Sequence, residues 1–168
     1  FYFVLNILYM RFVTACLSLI LLVCAACNSK KTLFTKLEAS ATGIEFNNEL
    51  KESDSLNVLD ISNIYNGGGV GIGDFNGDSL ADIYFTGNKV SNELYLNKGA
   101  LHFEDITSVA GVEGEGKWSR GVSVVDINND GKSDIYISAT LGTDTTLRKN
   151  ILYINQEISL VLIHYILN

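Results

Sequence analysis

The chain has 168 residues, of which 47% are hydrophobic and 18% charged, a composition typical of about one globular domain. It carries 12 basic and 19 acidic residues, and this net charge of −7 argues against nucleic-acid binding, which uses basic surfaces. All the cysteines, Cys16, Cys24 and Cys27, precede residue 28, so neither a disulfide framework nor a thiolate metal site is expected in the rest of the chain.

The chain begins with an apolar segment typical of an export signal. After Met10, one positive charge at Arg11 is followed by an apolar run and two small residues before Cys27. We expect residues 1–26 to be a helical signal peptide with its true start at Met10. The small-small-Cys ending resembles a bacterial lipobox, which implies that Cys27 is lipidated and that residues 27–32 tether a lipoprotein to the outer membrane or cell surface. A retained anchor and an ordinary cleaved signal stay open, because the apolar run is long enough to span a bilayer.

Residues 33–155 contain short strand-forming runs separated by turns. Strands at 70–73 and 83–87 flank an acidic loop, and this order of strand, tight loop and strand predicts a hairpin. A third strand is predicted at 93–97 and a fourth at 102–107, which completes a first unit.

A second unit begins 52 residues after the first, with predicted strands at 121–125, 135–138 and 151–155. Residues 156–168 form an apolar tail without an acidic strand. We interpret it as an aberrant or truncated end, so the second unit is expected to stop after three strands. Four short strands per unit of about fifty residues are typical of a β-propeller blade, and two blades do not close a ring. We therefore predict an all-β fold, a partial β-propeller of about two four-stranded blades with the second incomplete, as a fragment of a longer protein.

Two acidic loops, 74–82 and 126–134, place Asp, Asn, Asp and Asp at positions one, three, five and nine. Carboxylates packed this densely repel each other, and a hard cation with oxygen ligands would offset that repulsion. An EF-hand is excluded, because position twelve is Phe85 or Ile137 instead of the bidentate Glu. We expect two structural Ca²⁺ ions. The predicted ligands are Asp74, Asn76, Asp78, the carbonyl of Leu80 and Asp82 in the first loop, and Asp126, Asn128, Asp130, the carbonyl of Lys132 and Asp134 in the second.

The alternative for these loops is an Asx-turn hairpin that binds no metal. Position six is expected to need a positive φ, where glycine is least strained. The second loop has Gly131 there and the first has Ser79, so the second loop is predicted to be the tighter site. The even positions point away from the ion, and the apolar loop residues Phe75, Leu80 and Ile127 are free to pack inward or on neighbours.

The repeated loops and strands resemble FG-GAP/VCBS repeats. The matching segments are 71–78 with 81–84 around the first loop, and 125–131 with 134–136 around the second. The wider segments 65–70, 92–99 and 103–107 resemble the bacterial branch of the cartilage acidic protein family, which often carries an ASPIC/UnbV domain further on. This resemblance implies Ca²⁺-binding blades of an integrin-α-like propeller that acts as an extracellular scaffold.

No nucleophile–base pair, phosphate loop or catalytic carboxylate pair is found in the sequence, so we predict that the chain is not an enzyme. The expected function is a Ca²⁺-binding scaffold with a binding or adhesion role, attached to the membrane by its lipid and facing an unknown protein or glycan ligand. Two alternatives stay open: the non-catalytic N-terminal part of a polysaccharide-acting enzyme, and a non-functional truncated product.

Overall fold

The computed structural model describes residues 2, 9–16, 32–61, 63–114, 116–140, 145–156 and 163–167. The chain divides into two units, residues 1–36 and 37–168. In the first unit, residues 9–16 are helical and exposed. The rest of the predicted signal segment, with Cys24 and the predicted lipidation site Cys27, lies outside the described residues. Among the helices that are described, none has the length and apolar character needed to cross a bilayer.

The second unit consists mainly of two antiparallel sheets, in each of which every strand pairs with its neighbour in sequence. The first sheet contains β1 (Val70–Gly73), β2 (Asp82–Phe85), β3 (Glu93–Asn97) and β4 (Phe103–Asp105). The second contains β5 (Ser119–Val125), β6 (Asp134–Ala139), β7 (Asn150–Ile154) and β8 (Ile163–Leu167). Two helical turns, α1 (Ala39–Thr42) and α2 (Thr107–Ala110), precede the sheets, and a 3-10 turn (Thr145–Arg148) precedes β7. The predicted all-β fold of partial propeller blades is confirmed.

The outer edge of the second sheet differs from the expectation of three strands. Ile163–Leu167 pair with β7 along its whole length, from Asn150 opposite Leu167 to Ile154 opposite Ile163. Strand pairing uses main-chain groups, and the β-branched and aromatic residues of this run favour a strand without any acidic residue. The acidic β4 of the first sheet therefore has an apolar strand as its counterpart.

The inner hairpins of the two sheets have the same register. Gly73 pairs with Asp82 where the first loop leaves β1, and Val125 pairs with Asp134 where the second loop leaves β5. Residues 52 positions apart (125 − 73) therefore occupy equivalent places in the two blades. This equivalence allows each residue of one blade to be compared with its counterpart in the other.

The helical turn before each sheet is also repeated, at a spacing of 68 residues (107 − 39). α1 ends at Gly43 with φ 79°, and α2 ends at Gly111 with φ 66°. Each glycine donates its main-chain N–H to the carbonyl of the first residue of its helix, which closes the last turn. Turns of four residues are too short to produce a helical periodicity, so this part of the repeat leaves no helical pattern in the sequence.

The main hydrophobic core lies between the two sheets. Its buried residues are Phe75, Tyr84, Leu94, Ala110, Val112, Ile135, Ile137, Ile151 and Tyr153, with Ile106, Val122 and Val124 packed against them. Glycines on β1 allow the inner strands to approach, since a Cβ on Gly73 would lie 2.7 Å from a methyl carbon of Val124. The two blades therefore share one core, and the first acidic loop contributes Phe75 to it.

Candidate metal centre: the two acidic loops

Each acidic loop turns through two residues with left-handed backbone. In the first loop these are Gly77 at φ 76° and Ser79 at φ 68°. In the second they are Asn129 at φ 61° and Gly131 at φ 87°. The predicted positive φ at position six is confirmed in both loops, and position four shares it. Each loop thus contains one non-glycine residue in this region, where asparagine is tolerated better than serine.

The Asp at position one is the centre of a main-chain hydrogen-bond network. Asp74 accepts N–H groups from Gly77, Asp78 and Ser79 at 2.7, 3.2 and 2.8 Å. In the second loop, Asp126 accepts from Asp130 at 3.0 Å and from Gly131 at 2.8 Å. These bonds hold the carboxylate inside the turn and fix the path of the backbone around it.

Positions three and five are joined to each other. The amide of Asn76 donates to Asp78 at 2.9 Å, and its oxygen accepts the main-chain N–H of Asp78 at 3.1 Å. Asn128 and Asp130 make the same two contacts at 2.9 and 3.1 Å. Both Asp78 and Asp130 are exposed, so these oxygens remain accessible from solvent.

The Asp at position five also accepts a main-chain N–H, from the residue whose carbonyl is the predicted metal ligand. The main-chain N–H of Leu80 donates to Asp78 at 2.8 Å, and that of Lys132 donates to Asp130 at 3.0 Å. The N–H groups of Asn128 and Lys132 lower the pKa of Asp130, in that order of importance. Asp130 is therefore held as an anion in this loop.

The Asp at position nine is fully buried in both loops, with 0% exposure for Asp82 and for Asp134. Asp82 accepts the N–H of Phe75 at 2.9 Å and that of Asn97 at 2.8 Å. Asp134 accepts the N–H of Ile127 at 2.9 Å and that of Asn155 at 2.8 Å. This carboxylate joins the start of its own loop to the end of the third strand, which makes it a structural clamp on the hairpin.

The charges of the first loop act on one another. Burial raises the pKa of Asp82, the N–H groups of Phe75 and Asn97 lower it, and the nearby carboxylates of Asp78 and Asp74 raise it further. Three carboxylates of one loop are thus close enough to repel each other, and a positive charge among them would reduce that repulsion.

The predicted ligands of each loop are brought together in one turn, but their oxygens face main-chain N–H groups. Within the described parts of the chain, no group of three or more His, Cys, Asp or Glu side chains is arranged to hold a metal ion. The donor set is nevertheless all oxygen, which suits Ca²⁺ rather than Zn²⁺. A carboxylate oxygen that accepts one N–H retains further lone pairs. The residues present therefore fit a hard cation by their chemistry.

The apolar residues of the two loops differ in burial: one is in the core and two lie at the surface. Phe75 is 2% exposed and lies in the core between the blades. Leu80 and Ile127 are 38% and 52% exposed, so they lie at the surface and do not belong to that core. Ile127 is equivalent to Phe75 in the repeat, and of the two only Phe75 belongs to the core between the blades.

Comparison with known proteins places these loops in a family. Residues 74–137 match the family model described as FG-GAP-like repeat. The chain is 39% identical over 74 residues to Cartilage acidic protein 1 of Xenopus tropicalis and 39% identical over 72 residues to that of Homo sapiens. These alignments cover 44% and 42% of this chain and 11% of each relative, so the match spans about a tenth of the length of the curated relatives. Residues 74–137 are therefore similar to an FG-GAP-like repeat, and the alignments with Cartilage acidic protein 1 support that similarity.

Proposed function

We propose that this chain is part of an exported, Ca²⁺-stabilised scaffold that binds a protein or glycan ligand and performs no catalysis. In this proposal the blades present a surface for the ligand, and the N-terminal segment attaches the protein to a membrane through a lipid on Cys27. The two acidic loops each hold one structural Ca²⁺ ion.

The observation that carries the calcium proposal is the duplication of one polar arrangement. Asp74, Asp78 and Asp82 have counterparts at the same register positions in Asp126, Asp130 and Asp134, with matching main-chain partners. Asx turns need one acidic or amide side chain to cap the backbone. Three carboxylates in each loop exceed that need, and their mutual repulsion supports a role in binding a cation.

A Ca²⁺ ion would act on stability through the hairpin. Asp74 follows β1 directly and Asp82 begins β2, so ligands at both ends of the loop would tie the inner strands together. Asp82 also reaches the third strand through the N–H of Asn97. The bound ion would supply positive charge, while the main-chain N–H groups would keep each carboxylate in place.

Thermal unfolding with and without Ca²⁺ tests this function. Millimolar Ca²⁺ is expected to raise the melting temperature of the wild-type chain, since a ligand that binds only the folded state stabilises it. Asp130→Ala should reduce that rise. Glu104→Ala is the control, because Glu104 is an exposed carboxylate on β4 that pairs only with Lys98 at 2.8 Å among the described ion pairs. A melting temperature that does not respond to Ca²⁺ would contradict the structural-ion proposal.

One observation favours a second candidate, in which the loops are metal-free Asx turns. The carboxylates of Asp74 and Asp82 already accept main-chain N–H groups and hold the loop without an ion. In that case Asp82→Ala would lower stability equally with and without Ca²⁺. The scaffold part of the proposal would then rest on the fold alone.

A further inference from the structure

The sequence contains two Asn-Gly pairs in nearly identical local contexts. Residues 65–67 read Tyr-Asn-Gly, and residues 75–77 read Phe-Asn-Gly. Both pairs are exposed, and a Cβ added to Gly67 or to Gly77 would have nothing within 4 Å. Local sequence and steric access are therefore matched, so a difference in their chemistry must come from hydrogen bonds and charges.

An Asn-Gly pair can lose ammonia without an enzyme. The glycine nitrogen gives up its proton and attacks the side-chain carbonyl carbon of asparagine, and a C–N bond forms as the amide nitrogen leaves as ammonia. Water then opens the five-membered ring at either carbonyl, which leaves aspartate or isoaspartate. Glycine favours ring closure because it has no side chain to obstruct it. The reaction therefore requires an accessible glycine N–H, and positive charge nearby favours it because the attacking nitrogen becomes negative.

The first pair meets both requirements. The N–H of Gly67 has no acceptor among the residues that the structure describes. The N–H of Asn66 donates to the carbonyl of Asn63 at 3.2 Å, and Nη2 of Arg120 donates to the same oxygen at 3.2 Å. Two donors on one oxygen lie close together, and the guanidinium is always charged. A fixed cation thus stands beside the main chain of Asn66.

The second pair is held in the opposite environment. The N–H of Gly77 donates to the carboxylate of Asp74 at 2.7 Å, and the amide of Asn76 donates to the carboxylate of Asp78 at 2.9 Å. A hydrogen bond to an ionised acceptor is stronger than one between neutral groups, so the attacking nitrogen keeps its proton. Two anions beside the pair also disfavour a negative nitrogen. The first acidic loop therefore protects its own asparagine.

We propose that Asn66 is a site of spontaneous deamidation, and that the hydrogen bond from Gly77 to Asp74 protects Asn76 from the same reaction. The product carries one negative charge more than the original chain, whose net charge is −7. This charge is formed in the turn before β1 that Arg120 contacts, and Nε of Arg120 is a buried donor without an acceptor in the described part of the chain. The inference goes beyond the scaffold function and does not depend on calcium.

The test follows both asparagines in one peptide. The metal-free wild-type chain is incubated at mildly alkaline pH, either folded or unfolded in guanidinium chloride. Trypsin cleavage after Lys51 and Lys89 releases residues 52–89, which carry both pairs and contain no internal Lys or Arg. Tandem mass spectrometry locates each deamidation, and electron-transfer fragmentation separates isoaspartate from aspartate. A sample digested at time zero gives the background from digestion itself.

In the folded chain, Asn66 should react at least about tenfold faster than Asn76, the factor expected for one hydrogen bond to a charged group. In denaturant the two rates should be similar, because the local sequences match. Asp74→Ala should raise the rate at Asn76 towards that at Asn66. Asp126→Ala is the control, since it removes the same carboxylate from the second loop and should leave both rates unchanged. Circular dichroism establishes that each variant is folded.

The proposal is overturned if Asn66 stays unmodified in the folded chain, or if Asn76 reacts there as fast as Asn66. It is also overturned if denaturant leaves the ratio of the two rates unchanged, because folding would then have no part in the difference. If Asp74→Ala does not fold, the comparison of folded and denatured wild type decides the question alone.

Discussion

Truncation of Phe75 should destabilise the chain strongly, because this loop residue is part of the core that joins the blades. Its side chain is 2% exposed and lies in the same cluster as Ile135 and Ile137 of the second blade. Replacing a buried Phe by Ala typically costs about 3–5 kcal/mol of unfolding free energy, through lost burial and the cavity left behind. For a domain of this size, the melting temperature should fall by roughly 10–15 °C. Urea unfolding followed by the fluorescence of buried Trp118 measures the loss.

Ile127→Ala is the matched control for Phe75→Ala. Ile127 holds the same position of the second loop but is 52% exposed, so its truncation should cost no more than about 1 kcal/mol. If the two variants lose the same stability, Phe75 does not join the blades as described. A loss below about 1 kcal/mol for Phe75→Ala would equally refute the shared core.

Two further predictions concern the inner strands and the loop charges. Gly73→Ala should lower the free energy of unfolding by about 1–3 kcal/mol, since its Cβ would lie 2.7 Å from Val124. Gly121→Ala is the control: its Cβ would lie 2.9 Å from the Ser138 hydroxyl at an exposed site, and stability should change by less than about 0.5 kcal/mol. Equal losses in urea unfolding would contradict the close approach of the strands. The pKa of Asp130 is lowered from its usual 3.8 in the folded chain, so its contribution to stability is present above that pH and is lost as the pH falls through the folded value. Without Ca²⁺, the wild type should therefore lose stability relative to Asp130→Asn when the pH falls below 3.8, and parallel pH profiles would contradict this.

The hairpins around the acidic loops were predictable from the sequence because their signals are local. Alternating strand residues, the acidic spacing and the 52-residue repeat together predict β1, β2 and β3 nearly to the residue. The positive φ at position six followed from Gly131, and the structure finds it at Ser79 as well. Local turn chemistry thus determines this part of the fold.

The remaining features depend on partners distant in sequence. Phe75 and Ile127 occupy the same loop position, and only contact with a following blade decides that one is buried and the other exposed. Asp82 and Asp134 were predicted as metal ligands, but their main-chain donors at Asn97 and Asn155 come from another strand. Such contacts leave no periodicity in the sequence, so the hydrogen bonds by which Asp82 and Asp134 join each loop to the third strand could not be predicted.

The central claim, that each acidic loop binds a calcium ion, is tested most directly by counting the ions. Isothermal titration of the folded, metal-free chain with Ca²⁺ should show two sites per chain. Asp126→Ala, which removes the acceptor for the N–H groups of Asp130 and Gly131, should leave one. The absence of saturable binding at millimolar Ca²⁺ would contradict the claim and assign both loops to metal-free Asx turns.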